Sequence, residues 1–190
     1  DGRIGSRECM RGQVALLDMS ADELARHLQD CHIDPGFPAF VELARALDVP
    51  LLVVSDGLDH AIHAILGRHG LDGLPVASNQ LRQVAARGWE LGTPFRAAHC
   101  NSGTCKCACA RQCASGGQRT LLIGDGASDF CAAGEVDFVF AKHRLIEHCE
   151  KLGIPHLPVQ GFQQVQALLP RLLAGEFDRE AAPLPLVARS

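Results

Sequence analysis

No run of about 20 apolar residues, the length that spans a bilayer, occurs anywhere in the 190 residues. No signal peptide is expected ahead of the fold. Positive charge is also short: 18 Lys and Arg stand against 22 Asp and Glu, a formal net charge of −4. That balance gives no electrostatic reason to expect a nucleic acid or an anionic membrane as partner. There is no internal repeat and no initiator Met, since the chain opens on Asp1-Gly2-Arg3. What these absences leave is a soluble cytoplasmic protein, long enough for one sizeable core or a core plus a small cap. Nothing in the composition specifies an oligomeric state.

Cysteine, by contrast, is abundant. There are nine, an odd number, and five of them crowd together as Cys100, Cys105, Cys107, Cys109 and Cys113. A small secreted domain spreads bridging cysteines through a core-poor chain, whereas this chain has long aliphatic segments, so reduced thiols are expected. The cluster spacing, C-x4-C-x-C-x-C-x3-C, lacks the paired C-x2-C of recognisable zinc sites. It is read as free thiols on a loop and helix, with a structural zinc or an iron–sulfur cluster as the alternative.

Periodicity predicts helices over 7–17 and 21–30, the second capped by Ser20 with Glu23 completing a capping box. After the break at Asp34-Pro35-Gly36, a third amphipathic helix runs from Phe37 to Leu47. Val49–Val54 reads as a strand buried on both faces, ending in the turn Ser55-Asp56-Gly57. A helix over 59–69 follows, then a hairpin from 74–84 and 88–91. Residues 99–117 are expected to be irregular or partly helical. Strands at 120–123, 137–140 and 156–159 alternate with helices at 142–152 and 163–173. This alternation predicts an α/β fold on a parallel sheet with ligands at the carboxyl ends of the strands.

Two of those strand ends carry chemistry. In Gly124-Asp125-Gly126-Ala127-Ser128-Asp129 the glycines permit a tight turn, and the two carboxylates are hard oxygen ligands suited to Mg²⁺; the plain alternative is a surface turn with Asp129 capping a helix. Ser55-Asp56-Gly57 offers a hydroxyl and successive amides as a phosphate cradle, or else is simply a capping turn. Lys106, one of only three lysines, sits inside Cys105-Lys106-Cys107. It can serve as a point charge beside an anion or as a solvated surface group. His60 and His63 follow the Ser55 turn and are expected to be packed or surface histidines, with approach to a substrate as the alternative.

Taken in order, Ser55, Lys106 and the G-D-G-x-[ST]-D turn resemble the haloacid dehalogenase superfamily of phosphatases. Val53-Val54-Ser55-Asp56-Gly57-Leu58-Asp59 and the run from Asp1 to Leu17 are similar to its phosphoserine-phosphatase branch. Asp137–Lys142 and Gly153-Ile154-Pro155 resemble the branch that dephosphorylates 2-hydroxy-3-keto-5-methylthiopentenyl-1-phosphate in methionine salvage. The likeness covers most of the chain to about residue 170.

The resemblance implies a Rossmann-like core at 35–175, a partial helical cap at 1–34 and a C-terminal tail at 176–190, poorly ordered. It implies a Mg²⁺-dependent phosphomonoester hydrolase that acts through an aspartyl-phosphate on a small phosphorylated metabolite. Ser55, Asp56, Gly57 and Lys106 would hold the phosphoryl group. Asp125 and Asp129 would serve the metal, with Asp129 supporting its shell or orienting Lys106. The D-x-D-x-T motif that should carry the nucleophile does not occur. The chain is therefore read as lacking an upstream segment with the nucleophile and a first central strand, and by itself as inactive. The alternative is a non-catalytic relative.

Where phosphoserine phosphatases place a substrate-binding arginine, this chain has Gln13, with Arg11 and Arg7 nearby, and an amide does not replace a bidentate guanidinium. The methionine-salvage substrate is thus the first expectation and a phosphoserine-type phosphatase the second. A non-catalytic metal- or phosphate-binding module built on the cysteines is the third.

Overall fold

Ser20 and Glu23 cap each other as their spacing predicts. The Glu23 amide donates to Ser20 Oγ at 3.3 Å, and the Ser20 amide donates to Glu23 Oε2 at 2.7 Å. Such reciprocal caps satisfy two otherwise unpaired amides and contribute about 1 kcal/mol. They define the start of the second helix in the computed structural model, which describes residues 4–177. Asp1-Gly2-Arg3 and the tail beyond residue 177 lie outside the described residues. The chain divides into two compact units, Asp1–Cys109 and Ala110–Ser190.

The first unit holds α1 (Ser6–Ala15), α2 (Ala21–Leu28), α3 (Phe37–Ala46), β1 (Val53–Leu58), α4 (Asp59–Arg68), β2 (Val76–Gln83) and β3 (Trp89–Gly92), and the start of α5 (Lys106–Ala114). Its sheet has the order β1-β2-β3. The expected hairpin forms, with Gln83 opposite Trp89 and Gln80 opposite Gly92 in antiparallel register. Helix α1 packs on it through a core of Val14, Leu81 and Trp89. The Trp89 indole donates to the Met19 carbonyl at 2.8 Å, which satisfies its one polar group. Arg87, from the hairpin turn, reaches Asp18 and Glu23, each at 2.7 Å.

The first strand departs from expectation. It runs from Val53 to Leu58 and so includes Ser55-Asp56-Gly57 instead of ending before them. The Val49 amide closes the end of α3 on the Ala44 carbonyl at 2.8 Å, and Pro50 has no amide to give a ladder. β1 pairs in parallel with β2 at Val53–Val76 and Val54–Ala77, then shifts register before Leu58–Asn79. Within the shift, side chains replace ladder bonds: Ser55 Oγ accepts the Gly57 amide at 3.0 Å, and the Asn79 amide donates to the Asp56 carbonyl at 2.7 Å.

The second unit holds β4 (Leu121–Gly124), a 3₁₀ turn at Ala127–Asp129, α6 (Phe130–Ala133), β5 (Phe138–Ala141), α7 (Arg144–Leu152), β6 (His156–Pro158) and α8 (Phe162–Leu173). Its three strands are parallel in the order β4-β5-β6. Burial follows position in the sheet. Central β5 (Phe138–Ala141) is buried at all four residues, whereas β4, nearly as apolar, and β1, which carries Ser55 and Asp56, are half-buried throughout. β5 lies between two strands of its sheet, and α7 covers one of its faces. Val139, Ala141, Leu145 and Cys149 form the core between β5 and α7.

Candidate functional site

In the first unit the expected phosphate residues are tied to the loop that leads into Lys106. Asp56 makes that connection. Its carboxylate oxygen Oδ1 accepts the backbone amides of Gly103 and Thr104 at 2.9 and 3.0 Å and the Asn79 side-chain amide at 3.1 Å. Its other oxygen accepts the Ser6 hydroxyl at the start of α1. Four donors converge on one carboxylate, so the Asp56 side chain is an anchor, and phosphate contact from this residue would have to come from its backbone.

Asn79 is wholly buried on β2. Besides its two bonds to Asp56, it lies 3.5 Å from Met10 Sδ and accepts the Thr104 hydroxyl at 3.4 Å. Gly103 must be glycine to allow this: a Cβ there would stand 2.8 Å from Asn79 Cγ and collide with its Oδ1. Sequence reasoning passed over Asn79, Gly103 and Thr104. The available signal was the polar pair Ser78-Asn79 directly after apolar Val76-Ala77, two polar residues on a strand start where buried groups demand partners.

Lys106 is the first residue of α5, half-buried between the buried Cys105 and Cys107. The preceding backbone is held by the Asp56 bonds and by the Cys105 amide on the Phe95 carbonyl at 2.8 Å. Ser55 thus adjoins Asp56 in sequence, and Lys106 lies two residues beyond the Thr104 amide that Asp56 holds. The Gly57 amide is directed at Ser55 Oγ, where it orients the hydroxyl and leaves that group's own hydrogen to donate elsewhere.

None of the nine cysteines is disulfide-bonded. Burial and the neighbouring Cys107 sulfur push the Cys105 thiol up, so it keeps its proton at neutral pH. His99, which the sequence reading did not single out, brings its ring to these two sulfurs.

Arg7 and Arg11 lie one turn apart on one face of α1, Arg7 half-buried and Arg11 exposed. Gln13 is roughly 200° from Arg11 around the helix, by its 3.6-residue repeat, so a single ligand group cannot meet both. His60 is exposed, bonded to Asp59 Oδ1 at 3.0 Å and set edge-on to Trp89. Burial works to raise the Asp59 carboxyl, but the His60 ring and the Leu81 and His60 amides hold it below its ordinary value.

In the second unit the Gly124–Asp129 turn leaves β4 as expected. Asp125 is exposed. Asp129 is 3% exposed, and its Oδ2 accepts the amides of Asp125 and Gly126 at 3.0 and 3.1 Å. Gly124 permits the fold-back, since a Cβ there would meet Asp129 Cγ at 2.7 Å. The turn is further fixed by the Lys142 amide on the Gly124 carbonyl at 2.8 Å. The two carboxylates therefore differ in kind: Asp129 shapes the turn from inside and Asp125 presents hard oxygens from it.

A family model described as haloacid dehalogenase-like hydrolase matches residues 2–134. Among similar proteins, a polyol phosphate phosphatase of Saccharomyces cerevisiae is 31% identical over 76% of this chain and 65% of its own length. A 2-hydroxy-3-keto-5-methylthiopentenyl-1-phosphate phosphatase of Exiguobacterium is 32% identical over 87% of this chain and 78% of its own. The chain thus spans just under two thirds of the yeast relative. Among solved structures, a substrate-bound phosphoserine phosphatase shares the fold with a TM-score of 0.66 at 17% identity, over 90% of this chain and 79% of that one.

Proposed function

This chain belongs to the haloacid dehalogenase-like hydrolase family, and from that membership we propose that it carries phosphate-holding and metal-holding residues of a Mg²⁺-dependent phosphomonoester hydrolase for a small phosphorylated metabolite. The observation that carries the reading is the Asp56 anchor, which ties Ser55 and the loop into Lys106 to one carboxylate. In this reading the Ser55 hydroxyl donates to a phosphoryl oxygen. Lys106 offsets its negative charge, and groups held in place beforehand stabilise the charge that develops there without having to reorganise.

The turn after β4 suits Mg²⁺. That ion takes one or two carboxylates and keeps waters, and Asp125 supplies an exposed carboxylate on a backbone fixed by Asp129. When bound, Mg²⁺ neutralises charge on the phosphate oxygens. Asp129 acts by holding the Asp125 and Gly126 amides in place. Catalysis proceeds through an aspartyl-phosphate whose aspartate is not among these residues, which contain no D-x-D-x-T, so the 190 residues alone are inactive. The α1–α2 segment serves as cap. Reduced thiols and a cytoplasmic setting belong to the same reading.

The methionine-salvage ketopentenyl phosphate is the first substrate assigned, on the strength of the Exiguobacterium relative and Gln13. Phosphoserine is the second, favoured by the paired Arg7 and Arg11 on one face of α1. The test is phosphate release, with Mg²⁺, by the protein in a form carrying a D-x-D-x-T strand. Its substrates are the ketopentenyl phosphate, a polyol phosphate and phosphoserine. Fastest turnover of the first supports the assignment, and preference for phosphoserine moves it to the second. A folded protein that hydrolyses none of them would sink the enzymatic reading.

A further inference from the structure

We propose that His99, Cys105 and Cys107, joined by Cys100, form a closed tetrahedral site for one zinc ion in the first unit. His99 Nε2 lies 3.8 Å from Cys105 Sγ and 3.7 Å from Cys107 Sγ, and the two sulfurs are 3.2 Å apart. No other group of three such ligands is drawn this close together among the described residues. A tetrahedral zinc with bonds of about 2.3 Å to sulfur and 2.0–2.1 Å to nitrogen needs sulfur–sulfur edges of roughly 3.8 Å and sulfur–nitrogen edges of roughly 3.6 Å. Both nitrogen edges therefore stand within about 0.2 Å of the requirement, and the sulfur–sulfur edge has about 0.6 Å to open.

Cys100 completes the set. It is half-buried, follows His99 directly in sequence, and contributes to raising the Cys105 thiol. Cys105 and Cys107 are buried and flank the first residue of α5, so an ion held between them is enclosed by protein. Three thiolates and an imidazole match zinc in a structural role, whereas Mg²⁺ requires oxygen, so this site is distinct from the Asp125 turn. The ligand set also differs from the five-cysteine cluster: His99 enters, and Cys109 and Cys113 are left out.

Binding converts three thiols to zinc thiolates and releases three protons to the solvent. The bound ion fastens the loop from His99 to the first turn of α5, and so fixes the backbone of Lys106.

The experiment uses the chain purified under reducing conditions. Metal content is measured as isolated, and the stripped protein is then titrated with Zn²⁺ against a competing chelator and, separately, with Co²⁺. One zinc per chain, thiolate-to-cobalt charge-transfer bands with tetrahedral d–d absorption, and a raised melting temperature are expected. His99→Ala, at an exposed position, should lower zinc affinity by roughly tenfold or more while leaving the fold intact. Cys105→Ser with Cys107→Ser should abolish binding; if that variant fails to fold, His99→Ala carries the test. Absence of stoichiometric uptake, equal affinity in His99→Ala, or a Cys105–Cys107 disulfide as the stable form of the native protein would overturn the proposal.

Discussion

Asn79 donates its side-chain amide to both the carbonyl oxygen of Asp56, at 2.7 Å, and its carboxylate Oδ1, at 3.1 Å, although the two residues lie on different strands of the first unit. The bond pair spans the register shift between β1 and β2 and holds Asp56 where it receives the Gly103 and Thr104 amides. Asn79→Leu removes a buried donor while keeping the branched shape, leaving Asp56 and Thr104 short of partners. A loss of about 1–3 kcal/mol in unfolding free energy is expected by urea denaturation. An unchanged midpoint would show that the network contributes nothing.

Lys106 opens a helix whose start is held by the backbone bonds of Gly103, Thr104 and Cys105. Lys106→Ala should leave the circular dichroism spectrum and melting temperature intact. In a form of the protein carrying the nucleophile strand, it should lower kcat by about 10²-fold or more, as loss of a preorganised charge does. Near-normal kinetics would remove Lys106 from the site.

The two carboxylates of the Gly124–Asp129 turn should separate by readout. Asp125→Asn is expected to weaken Mg²⁺ binding, followed by calorimetry or by the Mg²⁺ dependence of turnover, with little change in stability. Asp129→Ala strands two amides beneath the turn and should cost about 1–3 kcal/mol of stability. The reverse pattern would exchange the roles assigned to them.

Acid should unfold the protein partly through Asp59 and Asp137. Burial opposes the depression of Asp59, but the His60 ring and two amides prevail. At Asp137 the Thr120 amide, at 2.7 Å, outweighs burial. Both carboxyls are therefore held below their ordinary value of 3.8. A folded pKa below the unfolded one gives stability that is present above the unfolded value and lost as pH falls through the folded one. Urea midpoints should thus be level above about pH 5 and drop below pH 4, less steeply in Asp59→Asn. A profile that is the same in that variant would count against the Asp59 contribution.

Much of the framework was legible in residues alone. The Ser20–Glu23 cap, the hairpin joined around 85–88 and the alternation of strand and helix after Thr120 depend on near neighbours, and such signals survive in a linear chain. The same is true of the Gly124–Asp129 turn, whose bonds run over three and four positions. The start of β1 was not legible, because Leu51-Leu52 are as apolar as Val53-Val54 and only pairing with Val76 and Ala77 distinguishes them.

By itself, then, the sequence determined the alternation of helices and strands, though not the bounds of β1, and it put Ser55, Lys106 and Asp125 in the order that marks the family. Tertiary structure alone decided that the Asp56 carboxylate anchors the loop at Gly103 and Thr104 and that Asn79 is its partner. It also decided that His99 meets Cys105 and Cys107. The reason is physical: these contacts are hydrogen bonds and close approaches between segments brought together by packing. Asp56, Asn79 and Gly103 are separated by more than 20 residues at each step, a distance over which no periodic or propensity signal extends.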